Sequence, residues 1–312
     1  MKAIMYHYVR PFDPEYPNFS NLDIDDFKKQ LDFFESEYGF VNQEDFLSSF
    51  ESKELPRGII LTFDDGLSCH HQHVFHELKR RKLWGIFYIP VFPYLKNKIL
   101  DVHRTHLLLG RYKPNDVYSY LQKIVTDGMI DNSNIEEFKK FTYSSQKNDE
   151  YALLVKRMTN YFIDYKYRTS VMNDLMTNFF PNEHDIFSKF YLSPNQIKEM
   201  HEENMIIGSH TINHPVMARL TEQEQNIEIQ DSFKFLESIT GKLSHRTFCY
   251  PYGGYHSFTE TTEKLLIQNN CKYSFNVEFR DIEIKDIINR PQALPRYDCN
   301  QFKFGQVRHK YS

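Results

Sequence analysis

Short apolar runs alternate along this chain with stretches whose apolar residues return every three or four positions. Runs of the first kind fall at Ala3–Val9, Gly58–Phe63, Gly85–Pro90, Met205–Ser209, Thr247–Tyr250, Tyr273–Asn276 and Ala293–Arg296. They are short and rich in aromatic and β-branched residues, and they predict buried strands. The intervening stretches predict helices with recognisable ends. In one, Phe27, Leu31, Phe34 and Tyr38 share a face and Gly39 supplies the stop. Ser193-Pro194-Asn195-Gln196 combines an N-cap, a proline at the first helical position and a capping-box glutamine. A longer helix is expected over Thr221–Thr240, ending at Gly241. Strands alternating with helices mean an α/β fold with a parallel sheet, and seven strands favour an incomplete (β/α)7-type barrel over an open sheet. Active sites on such barrels lie at the carboxyl ends of the strands.

The alternation breaks once. From about Leu100 to Phe190 the chain is polar, aromatic and helical in period, as in Asp116–Thr126 and Leu153–Tyr165. We read residues 100–190 as a helical insertion or lid within a single domain spanning 1–312. Composition adds exclusions. With 40% hydrophobic and 26% charged residues the chain reads as soluble and globular. A net charge of −4 supplies no field for nucleic acid or anionic lipid. The 27 Phe and 21 Tyr predict an aromatic core, and nothing in the pattern fixes an oligomeric state. No window approaches 18 uninterrupted apolar residues, so no transmembrane segment is expected. The start MKAIMYHYVRP has no long apolar stretch of the secretory kind. Four cysteines without CxxC spacing read as reduced thiols, and a cytoplasmic location is expected.

Three polar constellations follow strands. Leu61-Thr62-Phe63-Asp64-Asp65-Gly66 ends an apolar strand in two adjacent carboxylates. Like charges that close repel, and a bound divalent cation relieves the repulsion by taking one of them as ligand, leaving the other free as a base. Gly208-Ser209-His210-Thr211-Ile212-Asn213-His214 carries two histidines that a helical turn would close on one metal. With one carboxylate they make a three-ligand set with open positions. Pro251-Tyr252-Gly253-Gly254 is a rigid turn able to aim a backbone N–H at a developing oxyanion.

In this order the three segments resemble the polysaccharide deacetylase family, the NodB-homology domain of carbohydrate esterase family four. Its Thr-Phe-Asp-Asp, His-(Ser/Thr)-x-x-His and Pro-Tyr-Gly motifs match Thr62–Asp65, His210–His214 and Pro251–Gly253. The resemblance implies a metal-dependent hydrolase that removes an N-acetyl group from a sugar or glycan. It implies Asp64 as general base, Asp65, His210 and His214 as metal ligands, and the Tyr252 N–H in the oxyanion site. The metal is expected to be Zn2+, with Co2+, Ni2+ or Fe2+ as substitutes.

Departures matter as much. Cys249 stands where the family's third motif carries arginine, and the Asp-Trp and late Leu-x-x-His motifs have no match. The circularly permuted poly-N-acetylglucosamine deacetylase branch, which this chain is most similar to, places its acid histidine in a Tyr-His pair on the first strand. Tyr6-His7 matches that pair and Leu294-Pro295-Arg296 matches the branch's late Leu-Pro-Arg. The resemblance thus implies His7 as general acid and Arg296 as the residue orienting Asp64. The histidines at 70, 71, 73 and 76, and the pair His103 and His106, are expected to be structural. The expected substrate is an N-acetylated sugar, sugar nucleotide or glycan intermediate of surface-polysaccharide assembly. Alternatives are a small non-sugar amide, a two-histidine, one-carboxylate iron oxygenase, or a catalytically inactive glycan-binding protein.

Overall fold

The computed structural model describes residues 1–133, 135–143, 149–243 and 245–306. Seven strands, β1 (Lys2–Tyr6), β2 (Ile59–Phe63), β3 (Ile86–Ile89), β4 (Ile206–Ser209), β5 (Arg246–Cys249), β6 (Cys271–Phe275) and β7 (Tyr297–Asp298), form one sheet. Their order is β6-β5-β4-β3-β2-β1-β7 and every pairing is parallel. The curled sheet with its helices is the incomplete (β/α)7 barrel that the strand pattern implies.

Register decides what meets at the carboxyl edge. Tyr6 pairs with Phe63, so His7 and Asp64 leave the sheet side by side, and the Asp64 N–H donates to the Tyr6 carbonyl at 2.9 Å. Ile89 pairs with Ser209, and Ser209 with Phe248, which brings His210 and Cys249 to the same level. Beneath this edge the barrel is filled by rings. Phe63 stacks on Tyr6 at 5.2 Å and on Phe87 at 4.7 Å between centroids.

Six strands overlap the predicted runs, three of them starting one or two residues early; the seventh is displaced. The expected strand Ala293–Arg296 is instead a 3₁₀ turn over Pro291–Ala293 followed by β7. Pro295 has no N–H to give a ladder, so the regular pairing begins after it. Leu294 still bridges Phe275, its N–H donating to Ser274 at 2.8 Å. Residues 294–298 therefore reach β6 on one side and β1 on the other.

The helices that matter for the site have the predicted ends. Helix α1 (Ile24–Glu37) starts at the Asp23 cap, and Gly39 beyond it, at φ 69°, donates to the Phe34 carbonyl at 2.9 Å. Helix α2 (Pro194–Glu202) has the Ser193/Gln196 capping box. Helix α3 (Glu222–Thr240) has a Thr221/Glu224 box and buries Glu228, Ile229, Ser232, Phe233 and Leu236 against the sheet side.

The chain separates into two compact units. Among the described residues the first comprises Met1–Pro11, Asn21–Leu95 and 190–306, and holds the whole sheet. The second comprises Phe12–Ser20 and Lys96–Lys189. It is built from helices including Asp101–Arg111, Pro114–Ile124, Glu150–Arg157 and Tyr165–Phe179. Val117, Leu121, Val155, Val171 and Leu175 form its interior, and Arg104 clamps Glu183 with bonds of 2.7 and 2.9 Å. Among the described residues no helix is long and apolar enough to cross a membrane.

Candidate active site

Asp64 and Asp65 follow β2 immediately, and both are buried. Asp65 adopts φ 81°, in the left-handed region, which turns its side chain away from that of Asp64. The two carboxylates consequently face different partners. Asp65 Oδ1 lies 3.5 Å from His210 Nε2 and 3.5 Å from His214 Nε2. Asp64 is gripped by Arg296, whose Nη1 and Nη2 each donate to one carboxylate oxygen at 2.8 Å.

Two buried carboxylates on adjacent residues would ordinarily raise one another's affinity for protons. Burial does push Asp64 up, but the Arg296 guanidinium outweighs it and holds the carboxyl down at about 2. Arg296 itself is fully buried and further bonded to Thr62 Oγ1 at 3.0 Å, Cys249 Sγ at 2.9 Å and the Asn276 carbonyl at 3.3 Å. The Cys249 contact explains the departure at that position. An arginine at 249 would compete for the volume that the Arg296 guanidinium fills.

The His210–His214 segment is not the helical turn expected from its spacing. It is an irregular loop in which Thr211 (φ 68°) and His214 (φ 53°) are both left-handed. This fold directs both rings inward, with centroids 4.7 Å apart and nearly perpendicular at 79°. His210 Nδ1 sits 2.8 Å from the Cys249 carbonyl, so it carries a proton and Nε2 is the nitrogen turned to Asp65. Tyr252, at φ 66° in the turn after β5, lays its ring against His214 at 4.9 Å.

His7 completes the group. It is 38% exposed, and its Nε2 is 4.0 Å from Asp64 Oδ2 and 3.9 Å from Asp65 Oδ2. All seven residues singled out in the sequence thus lie in one cluster at the carboxyl edge of the sheet. Asp65, His210 and His214 place their donor atoms within 4.8 Å of one another. One carboxylate oxygen and two imidazole nitrogens, all buried and one with its tautomer fixed, suit a divalent cation of the zinc type. Asp64, His210 and Cys249 also lie within that distance, but Arg296 already donates to both Asp64 and Cys249.

Of the other histidines, His70 is buried and in reach of this site. Its Nε2 donates to the His7 carbonyl at 2.7 Å, and its ring packs against Phe63 and Phe87 at 5.6 and 5.8 Å. It opens a π-helical stretch, His70–Phe75. His71 instead pairs with Glu199 of α2 at 2.9 Å. Two residues with a bearing on the site, His70 and Glu228, carry no motif. His70 looks like one of several helix histidines, and Glu228 like one of several helix glutamates.

The fold is that of the NodB-homology proteins. The family model for polysaccharide deacetylase matches residues 151–273, which include both site histidines and the Pro251–Gly253 turn but not Asp64 or Asp65. Among solved structures, the Streptococcus pyogenes deacetylase PplD in complex with acetate aligns with a TM-score of 0.58 at 17% identity, over 96% of this chain and 91% of that one. IcaB from Ammonifex degensii gives 0.54 at 18%, over 95% and 89%. A de-N-acetylase from Aggregatibacter actinomycetemcomitans gives 0.53 at 13%, over 100% and 96%. No curated protein sequence matches the chain. The resemblance read from the three motifs is therefore met twice, by the family model over part of the chain and by the fold over nearly all of it.

Proposed function

We propose that this protein is a metal-dependent carbohydrate de-N-acetylase, a hydrolase acting on the acetamide C–N bond of an N-acetylated sugar or glycan. One observation carries the reading. A convergent carboxylate–imidazole–imidazole set lies beside a second carboxylate that is held ionised, with a half-exposed histidine facing both. Support also comes from the family match and from neighbours described as a deacetylase bound to acetate and as a de-N-acetylase.

Asp65, His210 and His214 would hold the cation. When bound, it supplies Lewis-acid polarisation of the acetamide carbonyl and an acidified water. The chain's own residues divide the proton work. Asp64 accepts the proton of the attacking water, and the two Arg296 bonds keep it ionised and fixed in direction. On this reading the Tyr252 N–H donates to the oxyanion as the carbonyl carbon becomes tetrahedral. His7, on the open side of the pair, gives a proton to the departing amine nitrogen as the C–N bond breaks. The products are acetate and a free amino sugar.

The test is acetate release from N-acetylated oligosaccharides, free sugars and sugar nucleotides by protein stripped with chelator and then reloaded with Zn2+. Activity is expected only in the loaded protein, and on at least one of the three substrate sets. Asp65→Asn and His214→Ala are expected to lose Zn2+ by elemental analysis. Full activity in the stripped protein would sink the metal reading. Release of acetate from small non-sugar amides in preference to all the sugars would move the substrate to that class.

A further inference from the structure

The loop that carries both histidines has an unusual backbone, and each of its N–H groups has an acceptor. His210 donates to the Ile89 carbonyl at 3.1 Å, Thr211 to Ser209 Oγ at 3.2 Å, and His214 to Thr211 Oγ1 at 2.9 Å. The remaining two, Ile212 and Asn213, both donate to one oxygen of Glu228, at 2.7 and 2.9 Å. The other Glu228 oxygen takes the Asn213 side-chain amide at 2.5 Å. On the opposite side, the Thr211 and Ile212 carbonyls accept from the N–H groups of Val91 and Phe92 at 3.1 and 2.8 Å.

Glu228 sits on α3, two turns in, and is only 6% exposed. A buried carboxylate is costly unless its oxygens are occupied by donors. Here all three donors come from the loop between the two histidines. Two non-glycine residues in that loop hold positive φ, a conformation that persists only where surrounding bonds impose it. Charge-assisted bonds to a carboxylate are the strong kind.

We infer that Glu228 is a positioning residue for the cation site, preorganising the His210–His214 loop so that both imidazoles face Asp65 before a metal arrives. The inference rests on the reading of Asp65, His210 and His214 as ligands. Without the Glu228 acceptors the loop relaxes out of its left-handed kinks, and part of the cation's binding energy goes into re-forming them.

The experiment is the Zn2+ affinity of the purified, folded apoprotein, measured by competition with a chromophoric chelator. Glu228→Ala is expected to weaken Zn2+ by about 10–100-fold, the range for residues that orient metal ligands. Glu228→Asp keeps the charge but withdraws the oxygens by one methylene, and is expected to weaken Zn2+ in the same direction. It stands in if the alanine variant does not fold. Glu228→Gln retains an oxygen for the two backbone donors and is expected to stay within a few-fold of the parent. Gln225→Ala separates positioning from general stability. Gln225 is buried on the same helix but bonds to Leu220 and Thr262, so its loss lowers the melting temperature without touching Zn2+ affinity. Parental affinity in both the alanine and aspartate variants of Glu228 overturns the inference. So does an equal loss in the Gln225 variant. If the parent protein itself takes up no Zn2+, it is the ligand reading that fails instead.

Discussion

At the scale of single residues, the site turns on how two neighbouring aspartates are made different. The left-handed φ of Asp65 separates them, and Arg296 then holds Asp64 ionised. Asp64→Asn is expected to cut kcat by about 10²–10⁴-fold while Zn2+ binding is retained. Arg296→Met removes the guanidinium and leaves burial opposed only by the weaker pull of His210 and His7, so the Asp64 carboxyl gains its proton at higher pH. The acid limb of kcat/KM should therefore move upward, with a loss of roughly 10²-fold from misdirection of the base. Arg296→Lys keeps a cation and should show less of both. His70 gives a second pH signature. Burial pushes its pKa down to about 4 despite the His7 carbonyl and the two aspartates, which pull the other way. A histidine kept neutral when folded adds stability that is complete above the unfolded value of about 6.5 and is lost as pH falls towards 4. Urea midpoints should fall across that window by the equivalent of about 3 kcal/mol, and the fall should flatten in His70→Gln. The clustering of the candidate residues was legible because each motif is local and follows a strand. Glu228 and His70 were not, because their roles come from backbone groups they meet only in the fold.

At the scale of elements, the carboxyl ends of β1, β2, β4 and β5 do the assembling. Gly253, two positions beyond the Pro251 turn start, shows how tightly. A Cβ added there, at φ +59°, would lie 2.2 Å from Val277 Cγ2 and 2.6 Å from its Cβ. Gly253→Ala is expected to destabilise by about 1–3 kcal/mol and to lower kcat by shifting the Tyr252 N–H. Gly241→Ala is the contrast, since a Cβ there meets nothing within 4 Å and only the φ of +77° is unfavourable. Its cost should stay near 1–2 kcal/mol with kcat unchanged. Melting temperature and steady-state kinetics on the two variants separate the effects. Six strands were readable as apolar runs with turn residues after them. The seventh was misplaced because Pro295 sits in the apolar run and cannot donate to a ladder. At 210–214 the two rings close without the helical turn that would also have served, and residue spacing carries no sign of the positive φ at Thr211 and His214 that allows it.

For the whole molecule, the proposed ligands all belong to the unit that holds the sheet, so a bound cation is expected to add its binding energy to that unit. At 100 times its Kd, Zn2+ is expected to stabilise it by about 2.7 kcal/mol. Scanning calorimetry should show this as an upward shift of roughly 5–10 °C, reversed by chelator and absent in Asp65→Asn. The helical period of residues 100–190 was readable in advance. What could not be read is that Phe12–Ser20 joins the same unit from far upstream. There Asn18 donates to the Gly110 carbonyl at 2.9 Å and Tyr16 stacks on Phe180. A comparable distance in sequence governs the base. Asp64 and its partner Arg296 are 232 positions apart, and the segment carrying Arg296 is also the one that touches both edges of the sheet. A ribosome adds about 5–20 residues per second, so roughly 10–50 s separate the synthesis of the two. During that interval the nascent chain comes to hold His7, Asp65, His210 and His214, yet Asp64 has no guanidinium to set it. On the reading proposed above, a chain released short of Arg296 is expected to lack the two bonds that set Asp64, and so to work poorly however well it holds a cation.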